Sequence, residues 1–417
     1  MIDSTRREFL VQSAGALSVM ALIPELSRAA EKLAGPVNIA VIGVGRQGRA
    51  IIGELQKLEG VKIVAVCDVI QSRLDASLRR VQGAEGFTDH KALLDKAKDV
   101  AAVVIATPTH LHKNIAVDCL SAGKHVYCEA PLAHTIEDTR AIAQAAAKAG
   151  GGSQIVFQAG LEGRANPVYK LARTFFRSDA VRDVVSLEAQ NYQKTSWRVT
   201  APEGMKDADA NWRLNPEVSL GLPGELGVHQ LDVVDWYTDA VPVSVGGAGS
   251  IRLHSDGRTM ADTISLWMKY DSGVAFTYNA SLANSFGGKY EILRGTNAAV
   301  KLAWTHGWMF KEADAPTQGW EVYANRQQFF NDEGITLIAD ATKLASQGKL
   351  KEGVGLPQTS LYYALADFVL SVANGKPSVC DAVAGMKSTI VAICAAQAVA
   401  KNETVKIDPN LFKLGGA

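Results

Sequence analysis

Two textures of hydrophobic patterning divide this chain. Up to about residue 158, short apolar runs take turns with stretches of helical spacing. Val37 to Val44, Val61 to Cys67, Val100 to Ala106 and Val126 to Cys128 are rich in Val, Ile and Ala, as strands buried on both faces are. Between them, Arg49 to Leu58 sets Ile51, Ile52, Leu55 and Leu58 on one helical face, and Lys91 to Ala97, Asn114 to Ala122 and Thr135 to Ala149 predict further helices. This alternation predicts a parallel sheet with helices on its faces. Ile155 to Gln158 reads as one more of its strands, beyond a Gly150-Gly151-Gly152 joint.

The pattern then changes. A helix over Asn166 to Arg177 places Leu171, Ala172, Phe175 and Phe176 on one face. After it, Val184 to Tyr192, Ser244 to Leu253, Asp262 to Tyr270, Gly273 to Ser281, Lys289 to Gly295 and Ala298 to Trp304 alternate polar with apolar residues between turns. Such half-buried strands predict a large open, mostly antiparallel sheet, one face packed and one available. Ser360 to Asn374 and Ala382 to Ala400 close the chain as helices. The fold class is therefore α/β, with a nucleotide-binding domain over 36–156 and a second α/β domain over 157–417. A chain of 417 residues exceeds what one core usually organises, which agrees.

The first strand runs into Gly43-Val44-Gly45-Arg46-Gln47-Gly48, a helix follows, and the second strand ends in Asp68. In that context the glycine pattern marks a Rossmann dinucleotide site, because it lets the backbone and a helix N-terminus approach a pyrophosphate. Asp68, about 20 residues on, can accept from both ribose hydroxyls and would repel a 2′-phosphate, so NAD is expected. Arg73 keeps NADP as the lesser alternative. Thr107-Pro108-Thr109-His110-Leu111-His112 and Glu129-Ala130-Pro131 follow later strands at their carboxyl ends, where ligands of open α/β sheets sit. Thr107, Pro108, His110, His112, Glu129 and Pro131 thus join Gly43, Gly45, Arg46, Gln47, Gly48, Asp68 and Arg73 as candidate cofactor contacts. A helix starting near Gly224 would put Glu225 and His229 on one face, a carboxylate orienting a histidine for general-base work.

Charge and cysteine usage narrow the picture. Forty-three basic residues balance 43 acidic ones, so there is no electrostatic footprint for nucleic acid or an anionic membrane. The five cysteines are odd in number and include no CxxC pair, so neither a disulfide framework nor a metal site is expected. Residues 1–30 read as an address. Arg6-Arg7 before the apolar run Val11 to Pro24, then Ser27-Arg28-Ala29, resemble a twin-arginine signal. This implies export to the periplasm, folded and already loaded with cofactor, by the twin-arginine machinery.

Taken in order, the glycine-rich turn, Asp68, the Thr107 to His112 loop, Cys128-Glu129-Ala130-Pro131, Asn211-Trp212-Arg213 and Gly224 to Asp232 resemble the Gfo/Idh/MocA oxidoreductases, from about residue 36 to the C-terminus. The resemblance implies an N-terminal Rossmann domain, a C-terminal domain whose open sheet often mediates homo-oligomers, and a sugar or polyol held between nicotinamide and sheet. Tyr192, Trp197, Arg198, Trp212 and Arg213 are candidate substrate contacts that fit many polyols. It implies hydride transfer, with His229 taking the alcohol proton, Glu225 orienting it, and Pro131 beside the nicotinamide after a cis bond. There are two departures. Ala130 stands where most members carry a lysine that assists proton transfer, and Glu225 stands where an aspartate is common. Lys194 is the first candidate to supply the missing cation and His112 the second. Two other readings stand beside this one: a redox-neutral NAD-dependent glycosidase and a non-catalytic sugar-binding relative.

Overall fold

The computed structural model describes residues 36–151, 155–318, 321, 326–328, 332–338 and 355–414; the twin-arginine segment and Gly152 of the joint lie outside the described residues. Strands β1 (Val37–Ile42), β2 (Val61–Cys67), β3 (Glu85–Phe87), β4 (Ala102–Ile105), β5 (His125–Cys128) and β6 (Phe157–Ala159) form one parallel sheet in the order β3-β2-β1-β4-β5-β6. The order reverses between β1 and β4, so the loops leaving their carboxyl ends open one crevice. Helices α1 (Arg46–Leu55), α2 (Gln71–Leu78), α3 (His90–Lys96), α4 (His112–Ser121) and α5 (Ile136–Gly150) cover the sheet. Thr135 caps α5 by accepting from the Asp138 N–H, and Glu137 and Asp138 face the positive end of the helix. Helix α2 and the short β3 lack clear periodicity and were not visible in the pattern.

The second domain begins with α6 (Pro167–Phe176) and β7 (Val184–Tyr192), followed by α7 (Gly221–Glu225) and α8 (Val228–Thr238). Strands β8 (Ser244–Ser250), β9 (Thr263–Lys269), β10 (Ala275–Ser281), β11 (Lys289–Gly295), β12 (Ala298–Ala303), β13 (His306–Lys311), β14 (Arg326–Gln328), β15 (Glu333–Thr336) and β16 (Val405–Lys406) complete its sheet with β7. Its order is β14-β15-β13-β12-β11-β7-β10-β9-β8-β16; β7 pairs in parallel with β10, and the other described pairings are antiparallel. On β9, Ile264, Leu266 and Met268 face the core while Ser265, Trp267 and Lys269 face out, the alternation read from the sequence.

Helices α9 (Ser360–Asn374) and α10 (Ala382–Lys401) bind the domains together. Helix α10 is long and apolar enough to cross a membrane, but it lies buried against β8, α5, α7 and α8. Helix α9 packs on α1 and β1, adding Leu361, Leu365 and Phe368 to the core of Ile39, Ile51, Ile52 and Leu55. As expected from Ile155 to Gln158, β6 is the sixth strand of the nucleotide sheet, and α9 returns from the far end of the chain to cover that domain. Hydrophobic periodicity gives the apolar face of a helix but not the partner that covers it.

The Ala130–Pro131 bond is cis. Beside it, Gly160 leaves β6 against Glu129. A Cβ at Gly160 would lie 2.8 Å from Glu129 Oε2, 3.0 Å from Glu129 Cα and 3.2 Å from the Tyr127 hydroxyl. The Glu129 carboxyl end can shift, but its Cα is main chain and the Tyr127 ring is fully buried, so Gly160→Ala should lower stability by about 1–3 kcal/mol. A urea midpoint that does not move would show that this close approach is dispensable.

Candidate functional site

The glycine turn forms a groove with two closed walls and one open side. A Cβ at Gly43, whose φ is +86°, would lie 2.8 Å from the Ala106 carbonyl and the Thr107 nitrogen; at Gly48 it would lie 1.9 Å from the Gly43 oxygen. Gly45 differs. It N-caps α1 with no side chain bonded to the cap, and its Cβ would meet only Arg73 Nη1, at 3.6 Å. A helix N-terminus with uncapped N–H groups is thus left to an anion. Asp68 accepts from the Val44 N–H through Oδ2 and the Ile70 N–H through Oδ1, both at 2.9 Å, so each oxygen keeps a further lone pair for a ribose hydroxyl. Arg73 lies over the loop and Arg46 is exposed at its mouth. These residues fit a dinucleotide.

The junction after β5 is tied to this loop. Gln47 Nε2 donates to Glu129 Oε1 at 2.9 Å, which commits that amide to the protein. Glu129 is only 8% exposed; burial, with the neighbouring Glu162 adding to it, pushes its carboxyl up to about 8 against the Gln47 bond. Pro131 offers its carbonyl to His112 Nδ1 at 3.0 Å, while His112 Nε2 lies 2.9 Å from the Thr107 carbonyl. With 1% exposure and each ring nitrogen beside a main-chain carbonyl, to one of which the neutral ring can donate, His112 braces the two loops; it neither faces a cofactor nor replaces a catalytic cation. That corrects both expectations for it. The Thr107 hydroxyl is buried without a partner, and Pro108 sits partly exposed next to it at the rim. His110 packs edge-on against Trp212 and His134, at 6.0 and 6.2 Å between ring centroids, and burial followed by His134 lowers its pKa.

Glu225 and His229 do not share a helix face. Helix α7 ends at Glu225, Leu226 and Gly227 intervene, and α8 begins at Val228. The break is steric in origin: a Cβ at Gly227 would lie 2.5 Å from the Pro223 oxygen and 2.8 Å from the Tyr278 ring. Glu225 turns toward the nucleotide domain. It accepts from Thr109 Oγ1 at 3.3 Å and Ser219 Oγ at 3.5 Å, and lies 3.8 Å from Arg213 Nε. Burial raises its carboxyl, and Arg213 opposes the shift.

His229 faces the second sheet. Its ring stands edge-on to Trp304 at 6.1 Å, and burial, followed by the nearby Lys289 ammonium, holds its pKa down to about 3. Its Nδ1 is buried without a partner. Lys289 Nζ sits 3.5 Å from the centroid of the Trp304 ring, a cation–π contact. The side chain is accessible to water, yet burial is the largest influence on it and lowers its pKa, with Glu162 and Glu291 opposing. This combination describes a group lining a crevice. Lys289, Glu162 and Trp304 were missed in the sequence. A lysine opening an alternating strand looks like any solvated lysine, and only the Trp after β12 offered a signal.

The remaining candidates scatter. Lys194 is exposed beyond β7, and among the described residues no contact joins it to His229 or Glu225. Arg198 donates to Asp256 at 3.0 Å and Asp207 at 3.4 Å; Arg258 also grips Asp256, which is held well below the carboxylate range. Arg198 is therefore committed to a structural network. Trp212, 9% exposed, lies between His110 and the Arg213 guanidinium, 4.6 Å away, and bridges the domains instead of offering a free face. Trp197 packs on the core with φ +64°, and Tyr192 ends β7 half-buried. Among the described residues no cluster of His, Cys, Asp and Glu could hold a metal.

Residues 37–156 match the oxidoreductase family with NAD-binding Rossmann fold, and residues 169–301 match the GFO/IDH/MocA C-terminal domain. The two domains together span more than half the chain, in the order the fold requires. The chain belongs to the Gfo/Idh/MocA oxidoreductase family. Inositol 2-dehydrogenase of Salmonella typhimurium is 28% identical over 202 residues, 48% of this chain and 54% of that protein. Levoglucosan dehydrogenase of Pseudarthrobacter phenanthrenivorans is 28% identical over 209 residues, 47% and 50% of the two chains. The aligned part thus spans about half the length of these curated relatives. A levoglucosan dehydrogenase solved with NADH and levoglucosan superposes with TM-score 0.68 at 19% identity, over 89% of this chain and 99% of its own. It shares the fold.

His112 yields a pH test. The unfolded chain binds a proton on this ring below its ordinary 6.5, whereas the folded protein does so only below about 4. Stability from His112 is therefore intact above 6.5 and lost as pH falls toward 4, by at most about 3 kcal/mol. Urea midpoints at pH 7 and 4.5 should fall less steeply in His112→Gln than in the parent; parallel slopes would contradict the assignment.

Proposed function

We propose that this chain is an NAD-dependent oxidoreductase that moves a hydride between a carbinol carbon of a sugar or polyol and nicotinamide. The observation that carries this is the pairing of two built clusters: a glycine turn tied through Gln47 to the Glu129–Pro131 junction, and a neutral His229 grouped with Lys289 around Trp304. Bound NAD supplies the hydride acceptor. The uncapped turn at Gly45 and Asp68 would hold the nucleotide. His229, neutral through the working pH range, accepts the alcohol proton as the carbonyl forms. Glu225 does not orient it; with Thr109, Arg213 and Trp212 it fixes the spacing of the two domains.

The names of the relatives, both dehydrogenases of ring-shaped polyhydroxy compounds, support net oxidation over redox-neutral glycoside cleavage or silent binding. The test uses NADH fluorescence for binding, and myo-inositol and levoglucosan as probes, followed by NADH absorbance. His229→Ala should lower kcat/KM by about 10²–10⁴-fold with NADH affinity unchanged. Undiminished turnover in that variant, or a wild type that binds no NADH, would falsify the reading.

Arg6-Arg7 and the apolar run after them support export of the folded, loaded protein to the periplasm. The uncovered face of the second sheet, with Trp267 44% exposed, supports self-association. The full chain should fractionate with the periplasm and purify above the mass of one chain. Replacing both Arg6 and Arg7 by Lys should retain it in the cytoplasm; export of that variant would remove the twin-arginine route.

A further inference from the structure

We propose that Lys289 is a catalytic residue of this chain: its ammonium, held on the Trp304 ring beside His229, bonds the reacting oxygen and supplies from the second sheet the cation that the junction lacks at Ala130. This rests on the oxidoreductase reading.

Geometry supports the placement from three sides. The ammonium lies 3.5 Å from the Trp304 ring centroid, and the His229 ring stands edge-on to the same indole. Trp304 is a fixed platform. Its main-chain N–H donates to the Tyr169 hydroxyl at 3.2 Å, its carbonyl accepts from Asn166 Nδ2 at 2.6 Å, and its φ of +61° is a conformation that an aromatic residue holds only where its surroundings impose it. Glu162 lies near enough to act electrostatically on Lys289 and on Glu129 alike, which sets the lysine and the junction around one carboxyl.

The ammonium is also available. Among the described residues no carboxylate lies within ion-pair distance of Lys289 Nζ, although Glu162 and Glu291 both act on it electrostatically. A lysine present only to balance charge would be expected to close on one of them. Here the cation rests on an aromatic face, which leaves its N–H donors free for an oxygen entering the crevice.

The step balances with what the function supplies. The C–H bond of the carbinol breaks and its electron pair leaves as hydride to the nicotinamide. The O–H proton passes to His229, and the oxygen lone pair closes the C=O bond. Lys289 keeps its protons and stabilises the negative charge that develops on that oxygen. In the reverse direction it polarises the carbonyl. The charged groups facing it are His229 on α8, Glu162 on the turn before α6, and Glu291 on its own strand. Burial, and after it the like charge of Lys289, keeps His229 neutral and ready to accept.

The experiment compares wild type, Lys289→Met and Lys289→Arg in the full chain. Turnover is measured with myo-inositol and levoglucosan, NADH affinity by fluorescence, and the His229 ring titration by NMR, assigned with His229→Gln. Removing one donor of this kind costs about 10²–10³-fold in kcat elsewhere. Lys289→Met should show that loss with NADH affinity within about threefold, and its His229 pKa should rise because a like charge is gone. Lys289→Arg, which keeps the charge, should leave the His229 titration in place and confirm folding. Turnover retained in Lys289→Met, or lost only in step with NADH binding, overturns the proposal. If the wild type turns over neither probe, the functional reading fails for them, and the NMR arm still decides: an unmoved His229 titration overturns the placement of Lys289.

Discussion

A bare carboxylate sealed between two protein domains costs several kcal/mol, and Glu129 is placed in just such a position. The surrounding residues reduce that cost in different ways. Gln47 reaches from the start of α1 to donate one hydrogen bond, which also pins the glycine-rich turn to the junction. Gly160 clears the volume that the carboxyl occupies. Among the described residues no cation forms an ion pair with Glu129, and the influence of Arg213 is outweighed by burial, so protonation completes the adjustment and its pKa rises to about 8. Cofactor loop, junction and the segment after β6 are thereby fixed to one another through a single side chain.

Two polar bridges then set the second domain against the first. One runs from Thr109 through Glu225 to Arg213 and the Trp212 ring set edge-on to His110. The other is deeper. Arg164 donates to both oxygens of the fully buried Asp232 at 2.8–3.0 Å, and Ser388 of α10 donates to the same carboxylate at 2.7 Å. A buried pair of this kind is weak evidence for stability, but it fixes an arrangement. Arg164 follows Glu162 in the same turn, and Asp232 lies one turn beyond His229 on α8. The clamp therefore sets the position of Glu162 relative to His229 and so frames the space that Lys289 enters.

Most of the fold was legible in the sequence because its elements follow their own periodicity. β2, β7, β11 and α9 have the bounds that alternation and helical spacing predict. What escaped was anything decided by a partner distant in sequence. That α9 covers the nucleotide sheet depends on which face finds which. The site divided along the same line. Gly43, Gly48 and Asp68 act through local backbone geometry and could be read from spacing. Glu225 and His229 looked like one helical pair, because nothing in Gly224 to His229 announces that Gly227 must pack against Pro223 and Tyr278. Arg198 and Trp212 looked available for a substrate because their partners, Asp256 and His110, are remote in the chain. Lys289 was invisible for the converse reason: its importance lies wholly in Trp304, Glu162 and His229.

Ala130 gains meaning from this arrangement. An ammonium at that position would adjoin Glu129, hold its carboxyl ionised and form a buried ion pair on the nucleotide side of the crevice. Alanine there is partly buried against the core instead, and Glu129 keeps its proton near neutral pH. The cation of the crevice then belongs to the same sheet-and-helix unit as the histidine, with Trp304 touching both. Base and cation keep their relative geometry however the two domains adjust around a ligand, because neither depends on the junction for its position. The alanine of one wall and the lysine of the other thus suit their neighbours separately: a neutral acid at Glu129 requires no neighbouring ammonium, and burial, with the Lys289 charge second, keeps His229 neutral.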